Sequence, residues 1–401
     1  MIVITMLWPF PHDWSEYKFC GEKKAMFNLA LALSRQKRVT FLSMEREGSF
    51  SVDKFGNLEV ARLPVYRIAT LLSKKVRNYL KSFYGCCFIT SCGDVRLHLY
   101  IRSFVKPHKL IYVSHGFTKE YALRNAIHLY GKIFMLLVGH LQEYLAWKTD
   151  DLIITLTEDE AKKMCSYVNR EKVSVLSHGV DLQRYSQKRD AFTSEVRKAY
   201  GLNTGSSIVL AVGRISYENN FHNVIKVFHE LKKINRESVL VIAGTTWTPP
   251  GSGNITLSGY RYLLYLKNIV SDLGIGNSVK FITNIPEKEL PFIYTAADVF
   301  VQFTEGYSPL PNVILEAGAA GLPLVLTDFK ARRSVLHDGY NGFFVKPSDP
   351  RLNPSLVAKK IDYILRNNDL RKIMGKRSRE KVEQRFDITR IAEKYIDICK
   401  E

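Results

Sequence analysis

Short apolar runs alternate with longer stretches of helical periodicity along most of the chain. The run Ile2–Met6 predicts a buried strand, and Gly21–Ser34 repeats its apolar side chains at the spacing of one helix face. The same order of strand and helix recurs up to residue 176 and restarts at 208–212. Strands that alternate with helices predict parallel, doubly wound sheets, because each helix carries the chain back across its sheet.

A polar stretch at 183–194 separates two such series and predicts a linker. We therefore expect an N-terminal Rossmann-like domain over 1–185, a C-terminal one over 186–375, and a helical segment over 376–401 that packs back on the first domain. The other predicted strands are 39–42, 58–63, 88–90, 110–113, 152–155, 173–176, 239–243, 279–282, 299–301 and 324–326. The other predicted helices are 68–83, 120–148, 158–168, 221–234, 261–273, one from about 313, 354–367, 369–384 and 387–399.

The stretch 303–328 predicts a ligand site. It begins as a loop, becomes helical near residue 313 and ends in the apolar run 324–326. A helix that begins in a loop directs unpaired backbone N–H groups and the positive end of its dipole at what lies in front of it, which suits a phosphate. Glu316 adds a carboxylate beside this anion site, which predicts a ligand that also carries hydroxyl groups.

The composition is that of a globular protein, with 401 residues, 46% hydrophobic and 24% charged. The formal charge of +19 predicts anionic partners such as nucleic acid, an anionic membrane surface or a phosphorylated substrate. The excess of positive charge is concentrated between Arg62 and Lys109. This segment contains ten Lys and Arg residues and a single acidic residue, Asp94. No recognised nucleic-acid motif accompanies the charge, so a nucleic-acid partner is not expected.

The chain shows no secretory signal at its start, which predicts a cytoplasmic protein with reduced thiols. The apolar segment 127–147 is interrupted by Lys132, His140 and Glu143, so it predicts a buried or interfacial helix rather than a membrane span. Free thiols, and neither disulfides nor a metal site, are expected of the six cysteines, which are residues 20, 86, 87, 92, 165 and 399.

Several short motifs, taken in order and at their spacing, resemble those of the family 4 retaining glycosyltransferases. The matching stretches are VGRI at 212–215, AADV at 296–299, 311–317, GLPLV at 321–325, DG-x-NG at 338–342 and SHGVD at 177–181. Each motif is weak alone, whereas the ordered set is specific. The resemblance implies an α/β protein with the GT-B fold, in which two Rossmann-like doubly wound domains face each other across a cleft.

The resemblance also implies a reaction. Such enzymes move a sugar, here expected to be a hexose, from a nucleotide-diphosphate donor to an acceptor, with no metal or other cofactor. The residues implied in catalysis are His115, Arg214 and Glu305. The residues implied in donor binding are Cys20, Gly21, Gly213, Arg214, Asn219, Gly244, Ser308, Leu310, Pro311, Asn312, Val313 and Glu316.

The implied roles follow the chemistry of a diphosphate leaving group. Arg214 and helix N-termini would stabilise its growing negative charge. Glu316 corresponds to the family glutamate that binds the donor ribose, and His115 to a histidine beside the transferred sugar. The pair Cys20–Gly21 would approach the diphosphate, and 244–246 would lie near the base or ribose. The alternatives are an ordinary surface charge for Arg214 and a core histidine for His115.

Two departures from the family pattern leave questions open. Members usually carry a lysine five or six residues after the arginine, where this chain has Asn219 and Asn220. The pattern also has two glutamates eight positions apart, and the residue eight before Glu316 is Ser308. Either the loop holds an insertion and Glu305 still reaches the sugar, or Ser308 has replaced that glutamate.

Two functions are consistent with these features. The first is a transferase on the cytoplasmic membrane face, where the basic segment 62–109 contacts anionic lipid and the acceptor is a glycan or a lipid-linked molecule. The second, motivated by Asn219 and Ser308, is a catalytically degenerate protein that binds a nucleotide sugar or a partner without turnover.

Overall fold

The computed structural model describes residues 1–6, 21–45, 50–64, 74–91, 93–115, 135–185, 189–246, 259–304 and 310–401. These residues fall into two units. One combines the first strand with Gly21–Gly179 and Ile388–Glu401, and the other lies within Val180–Asp387. Each unit is built on its own sheet.

The described residues form eight strands in the first unit and six in the second. In chain order they are β1 Ile2–Met6, β2 Val39–Glu45, β3 Ser51–Phe55, β4 Leu58–Pro64, β5 Cys87–Thr90, β6 Lys109–Val113, β7 Leu152–Thr155, β8 Val173–Val175, β9 Ser207–Val212, β10 Ser238–Gly244, β11 Val279–Thr283, β12 Val299–Gln302, β13 Leu324–Thr327 and β14 Gly342–Val345.

The α-helices cover the sheets and close the chain. They are α1 Gly21–Ser34, α2 Lys74–Lys81, α3 Val95–Tyr100, α4 His140–Thr149, α5 Glu158–Met164, α6 Arg189–Ala199, α7 Phe221–Ile234, α8 Gly259–Asp272, α9 Leu290–Ala296, α10 Asn312–Ala319, α11 Asp349–Leu352, α12 Pro354–Arg366, α13 Asn368–Phe386 and α14 Ile388–Ile398.

The sheet of the first unit has the strand order β3-β4-β2-β1-β5-β6-β7-β8. The edge pair β3–β4 is antiparallel, and the other pairings among these strands are parallel. Ile2, Val3 and Ile4 of β1 are at most 4% exposed, as expected where a parallel sheet is covered on both faces. Helix α14 packs on α1, so the last helix completes the first unit.

The sheet of the second unit has the order β11-β10-β9-β12-β13-β14, and all of its pairings are parallel. The chain runs outward from β9 to β10 and β11 and then returns to β12 on the other side of β9. Helix α7 packs on α12 and α10 on α13. Since ligands of open α/β sheets bind at the carboxyl ends of the strands where the order reverses, the ends of β9 and β12 are the expected site.

The structure corrects three expectations from the sequence. The predicted linker contains the start of α6, because Val196 is buried in the core and Arg197 is held by Asp298 at 2.8 Å. Residues 180–185 and 376–387 lie in the second unit, because the amide of Val180 donates to the carbonyl of Phe386 over 2.8 Å. The pattern also failed to indicate β3, α3, α9, β14 and α11.

The apolar segment predicted as a buried or interfacial helix is helical where the structure describes it, through a π-helical turn at Met135–Gly139 and then α4. Leu137 and Leu141 are 66% and 55% exposed there, while Trp147 is buried. Across the described ranges, no helix has the length and apolar character needed to cross a membrane.

Candidate functional site

Arg214 lies at the carboxyl end of the central strand β9, directly after Gly213. Its side chain is 38% exposed and is 3.8 Å from Glu218, whose side chain is 43% exposed. An ion pair that is this open to water contributes little free energy. The guanidinium can therefore leave Glu218 for a more strongly charged anion at little cost.

Two glycine turns meet beside Arg214. A Cβ atom on Gly244 would lie 1.7 Å from the carbonyl oxygen of Gly213, so the backbone excludes any side chain at position 244. The amide of Ile215 donates to the carbonyl of Thr245 over 2.8 Å and joins the two turns. Glycine at position 244 thereby lets the backbones at the ends of β9 and β10 pack directly against each other.

Asn219 occupies the position where the family carries a lysine, and its amide is used inside the loop. Its Nδ2 donates to the carbonyl oxygen of Arg214 over 2.7 Å. The same nitrogen would lie 3.3 Å from a Cβ on Gly213, so the amide packs over the turn. The side chain shapes the loop that carries Arg214 and brings no charge to it. A contact between Asn219 and a donor stays a prediction.

Asn220 links that loop to β12. Its φ of 58° is left-handed, a conformation that asparagine adopts more readily than most residues. Its Nδ2 donates to the carbonyl of Phe303 over 2.7 Å, and its Oδ1 accepts from Nδ2 of Asn223 at 2.8 Å. Because Phe303 directly follows β12, this bond connects the start of α7 to the end of β12. The sequence pattern contains no signal for this role.

Helix α10 begins at the carboxyl edge of the same sheet. Pro311 is its N-cap residue and makes no side-chain hydrogen bond to the first turn. Leu310 is 8% exposed and packs in the core, which anchors the start of the helix. The positive end of the dipole therefore lies at Asn312 and Val313, as the sequence predicts for this anion site.

Glu316 lies further along α10 and is 2% exposed. Its Oε2 accepts a hydrogen bond from the hydroxyl of Tyr294 over 2.9 Å. Burial, and after it the charge of Glu316, raises the pKa of Tyr294 well above its ordinary value, so the phenol stays protonated and continues to donate. The carboxylate is oriented by a tyrosine that the motif pattern does not identify.

In the first unit, His115 follows β6 and stacks on His178, which follows β8. The ring centroids are 4.9 Å apart and the planes differ by 22°. Burial lowers the pKa of His115 to about 3, and burial with the charge of His115 lowers the pKa of His178 well below its ordinary value. Both imidazoles are therefore neutral at pH 7. Nε2 of His115 is buried, and none of the described residues forms a hydrogen bond with it.

Gly21 begins α1, which follows β1 in the chain. A Cβ atom at this position would meet nothing within 4 Å, so neighbouring atoms do not require glycine there. The adjacent Glu22 is half-buried, and desolvation raises the pKa of its carboxyl group although a hydrogen bond with Ser91 acts in the opposite direction.

Three predicted site residues, Cys20, Glu305 and Ser308, lie outside the described residues. The choice between Glu305 and Ser308 at the sugar therefore stays open. Gly21 and His115 belong to the first unit. The second unit contains Gly213, Arg214, Asn219, Gly244, Leu310, Pro311, Asn312, Val313 and Glu316.

Comparison with known proteins finds a family match within the second unit. The sequence profile described as "Glycosyl transferases group 1" matches residues 192–381. Residues 192–381 therefore resemble the group 1 glycosyltransferases. The matched region contains every donor-binding residue predicted in the second unit, and the match confirms the likeness to glycosyltransferases that the motifs indicated.

Two curated relatives extend the likeness. Spore coat protein SA of Bacillus subtilis (strain 168) is 30% identical over 234 residues, which are 57% of this chain and 59% of that protein. A UDP-Gal:alpha-D-GlcNAc-diphosphoundecaprenol alpha-1,3-galactosyltransferase of Escherichia coli is 27% identical over 297 residues, which are 72% of this chain and 68% of that protein. The chain therefore matches less than two thirds of the length of the spore coat protein.

A solved structure resembles the whole chain. The crystal structure of Anabaena Alr3699/HepE in complex with UDP and glucose has a TM-score of 0.73 and 17% sequence identity, and the match covers 100% of this chain and 99% of that one. At this identity the likeness concerns the fold. The fold is GT-B, as the sequence predicted.

Proposed function

We propose that this group 1 protein is a retaining glycosyltransferase that moves a hexose from a nucleotide-diphosphate sugar to an acceptor. The observation that carries the proposal is the position of Arg214, half-exposed and weakly paired at the end of β9, beside the glycine contact 213–244. Bond cleavage leaves a diphosphate with growing negative charge. A guanidinium and a helix N-terminus at one edge of a sheet suit that charge.

Each residue of the second unit has a proposed role toward the donor. Arg214 and the amides at 312–313 bind the diphosphate, and the turn at Gly244 lies near the base or ribose. Glu316 accepts hydrogen bonds from the ribose hydroxyls, and its bond from Tyr294 supports this role because it orients the carboxylate. The UDP in the Anabaena structure supports a nucleotide donor.

The first unit is proposed to serve the transferred sugar and the acceptor. A neutral His115 can hydrogen-bond a sugar hydroxyl without repelling the cationic character that develops on the anomeric carbon. Cys20 and Gly21 are proposed to approach the diphosphate, and Glu305 or Ser308 to contact the sugar. We propose that the reaction needs neither a metal ion nor another cofactor.

The proposed acceptor is a glycan or a lipid-linked molecule reached at the cytoplasmic membrane face. The E. coli relative is named for a diphosphoundecaprenol-linked substrate, which supports a lipid-linked acceptor. Within the basic segment 62–109, Lys74, Lys81 and Lys106 are exposed. Ammonium groups on such a surface attract anionic lipid.

The experiment starts with a thermal-shift screen of the full chain against nucleoside diphosphates and their sugars, because a ligand that binds the native state raises the melting temperature. The sugar of the best diphosphate is then offered with candidate acceptors, and NMR reads the anomeric configuration of the product. Transfer with retention supports the proposal, and an inverted product contradicts the retaining mechanism.

One observation favours the alternative, a degenerate binding protein. The amide of Asn219 is engaged with the carbonyl of Arg214, so position 219 adds no positive charge. If the best donor binds but neither transfer nor donor hydrolysis occurs with any acceptor tested, the alternative is correct and the catalytic proposal is wrong.

A further inference from the structure

Arg332 is a buried cation at the carboxyl edge of the second unit's sheet. It lies in the 3₁₀ turn Lys330–Ser334 that follows β13, and its side chain is 0% exposed. Nη1 donates to the backbone carbonyl of Thr327 over 3.2 Å and to its hydroxyl over 2.5 Å, and Nη2 donates to the hydroxyl of Thr304. The guanidinium carbon lies 4.9 Å from the ring centroid of Phe329.

No carboxylate among the described residues neutralises this charge, and the buried Nε has no hydrogen-bond partner among them. The adjacent Arg333, by contrast, is exposed and pairs with Asp328 at 2.8 Å. Burial lowers the pKa of Arg332 to about 9, which leaves the group protonated at pH 7. Burial of a charge with no counter-ion among the described residues costs free energy, so we look for a role of this residue in ligand binding.

The loop after β9 is short of positive charge. Between Gly213 and Asn220 the sequence holds one cation, Arg214, and one acid, Glu218. The amide of Asn219 stands where the family carries a lysine. A diphosphate bound at this edge would therefore gain from a second positive charge nearby.

A chain of contacts connects Arg332 to that loop. Asn220 donates to the carbonyl of Phe303, and the next residue, Thr304, accepts from Arg332. The hydroxyl of Thr327 donates to the carbonyl of Thr304 over 3.1 Å and closes the connection. Strand β12 lies between β9 and β13, and neighbouring strands are about 4.8 Å apart, so the ends of β9 and β13 are about 10 Å apart.

We propose that Arg332 is a donor-positioning residue that supplies to a nucleoside diphosphate the positive charge that Asn219 lacks. The inference rests on the proposed nucleotide-sugar site. The charge acts across low-dielectric protein, where a cation about 10 Å from a diphosphate still attracts it. The bonds to Thr304 and Thr327 also hold the ends of β12 and β13 beside the predicted anion site.

The test is calorimetric titration of the full chain with UDP, GDP and ADP. We expect Arg332→Met to raise the dissociation constant of the bound diphosphate about tenfold, because one attractive charge is lost. The melting temperature should stay equal or rise, since an apolar side chain replaces an unpaired buried charge. Arg333→Met is the matched control and should leave the dissociation constant unchanged.

Restoring charge separates an electrostatic role from a purely structural one. In the Arg332→Met background, Asn219→Lys should recover most of the lost affinity, because it places a cation in the loop after β9. Arg332→Lys keeps the positive charge, but a lysine ammonium group cannot bond Thr304 and Thr327 together as the guanidinium does. If Arg332→Met does not fold, affinity retained by Arg332→Lys supports the inference, and affinity lost by it overturns the inference.

The outcomes distinguish this inference from the proposed function. If the wild-type chain binds none of the three diphosphates, the proposed donor site itself is wrong. If the wild-type chain binds one of them and Arg332→Met binds it equally well, only the role of Arg332 is wrong.

Discussion

The hydroxyl of Tyr294 donates a hydrogen bond to Oε2 of Glu316 across 2.9 Å, and the two residues are 0% and 2% exposed. The bond joins α9 to α10. In the chain, α9 directly precedes β12 and α10 follows it. Glu316 is thereby oriented before any ligand binds. A carboxylate that is held in this way can accept hydrogen bonds from a ribose at a smaller cost in side-chain entropy.

Replacing this phenol tests the role of Glu316. Tyr294→Phe should lower the free energy of unfolding in urea by about 1.5–3 kcal/mol, because a hydrogen bond to a buried charged acceptor is removed. It should also weaken donor binding. Tyr200→Phe is the control, since Tyr200 makes a similar bond to Glu289 at 3.0 Å in a half-buried position. Equal donor affinity in both variants would remove Glu316 from the proposed site.

The contact between the two glycine turns predicts a strong effect of a small substitution. In Gly244→Ala, the added Cβ would lie 1.7 Å from the carbonyl of Gly213, so the backbone must move. We expect a loss of about 1–3 kcal/mol in stability and the loss of donor binding, measured by urea unfolding and thermal shift. Gly276→Ala should be silent, because nothing lies within 4 Å of its added Cβ. Unchanged donor binding in Gly244→Ala would contradict the proposed approach of the ligand.

The stacked histidines predict acid sensitivity. Burial lowers the pKa of His115 to about 3, whereas an unfolded histidine titrates near 6.5. Between these values the unfolded state binds more protons, so stability is full above pH 6.5 and is lost as the pH falls toward 3. At pH 5 the loss from His115 is about 2 kcal/mol relative to pH 7.5.

Urea unfolding at pH 7.5 and pH 5 measures this loss. His115→Gln should become less sensitive to acid than the wild type, and His229→Gln, at a partly exposed position, should not. An acid sensitivity that is the same in all three proteins would mean that His115 is not held neutral.

The basic surface predicts binding to anionic vesicles at low salt. Lys74 and Lys81 lie on α2 and are exposed. Changing both to glutamate should remove binding worth about 1 kcal/mol per lost lysine, measured by vesicle sedimentation. Lys376→Glu, at an 80% exposed position of the second unit, is the control. If the chain ignores anionic vesicles at low salt and accepts only soluble sugars, the proposed membrane contact is wrong.

Periodicity predicted the two parallel sheets because their central strands are apolar throughout and their helices alternate with them. The pattern was wrong around α6, whose segment is rich in charged side chains. Arg197 in that helix is buried and donates to Asp298 and to backbone carbonyls, contacts that a local pattern cannot express. Strand β3 was missed because it is an edge strand with partly exposed side chains.

The sequence predicted those residues of the candidate site that lie in recognisable motifs. Arg214, Gly244 and Glu316 lie where strand ends and a helix start were expected to place them. The residues that orient them were not predicted, since Tyr294 and Asn220 act through contacts distant in sequence. Arg332 lies between Lys330 and Arg333 in the sequence. Such a run of positive residues predicts exposed side chains, whereas the side chain of Arg332 is fully buried.

Release of nucleoside diphosphate from the best nucleotide-sugar donor is the most direct measurement of the proposed function. The wild-type chain should release it, and Arg214→Ala should do so about 10²–10³-fold more slowly, because a donor to the developing charge is removed. Arg236→Ala, which removes an exposed arginine before β10, should keep the wild-type rate. Equal rates in wild type and Arg214→Ala would contradict the proposal that this guanidinium stabilises the leaving diphosphate.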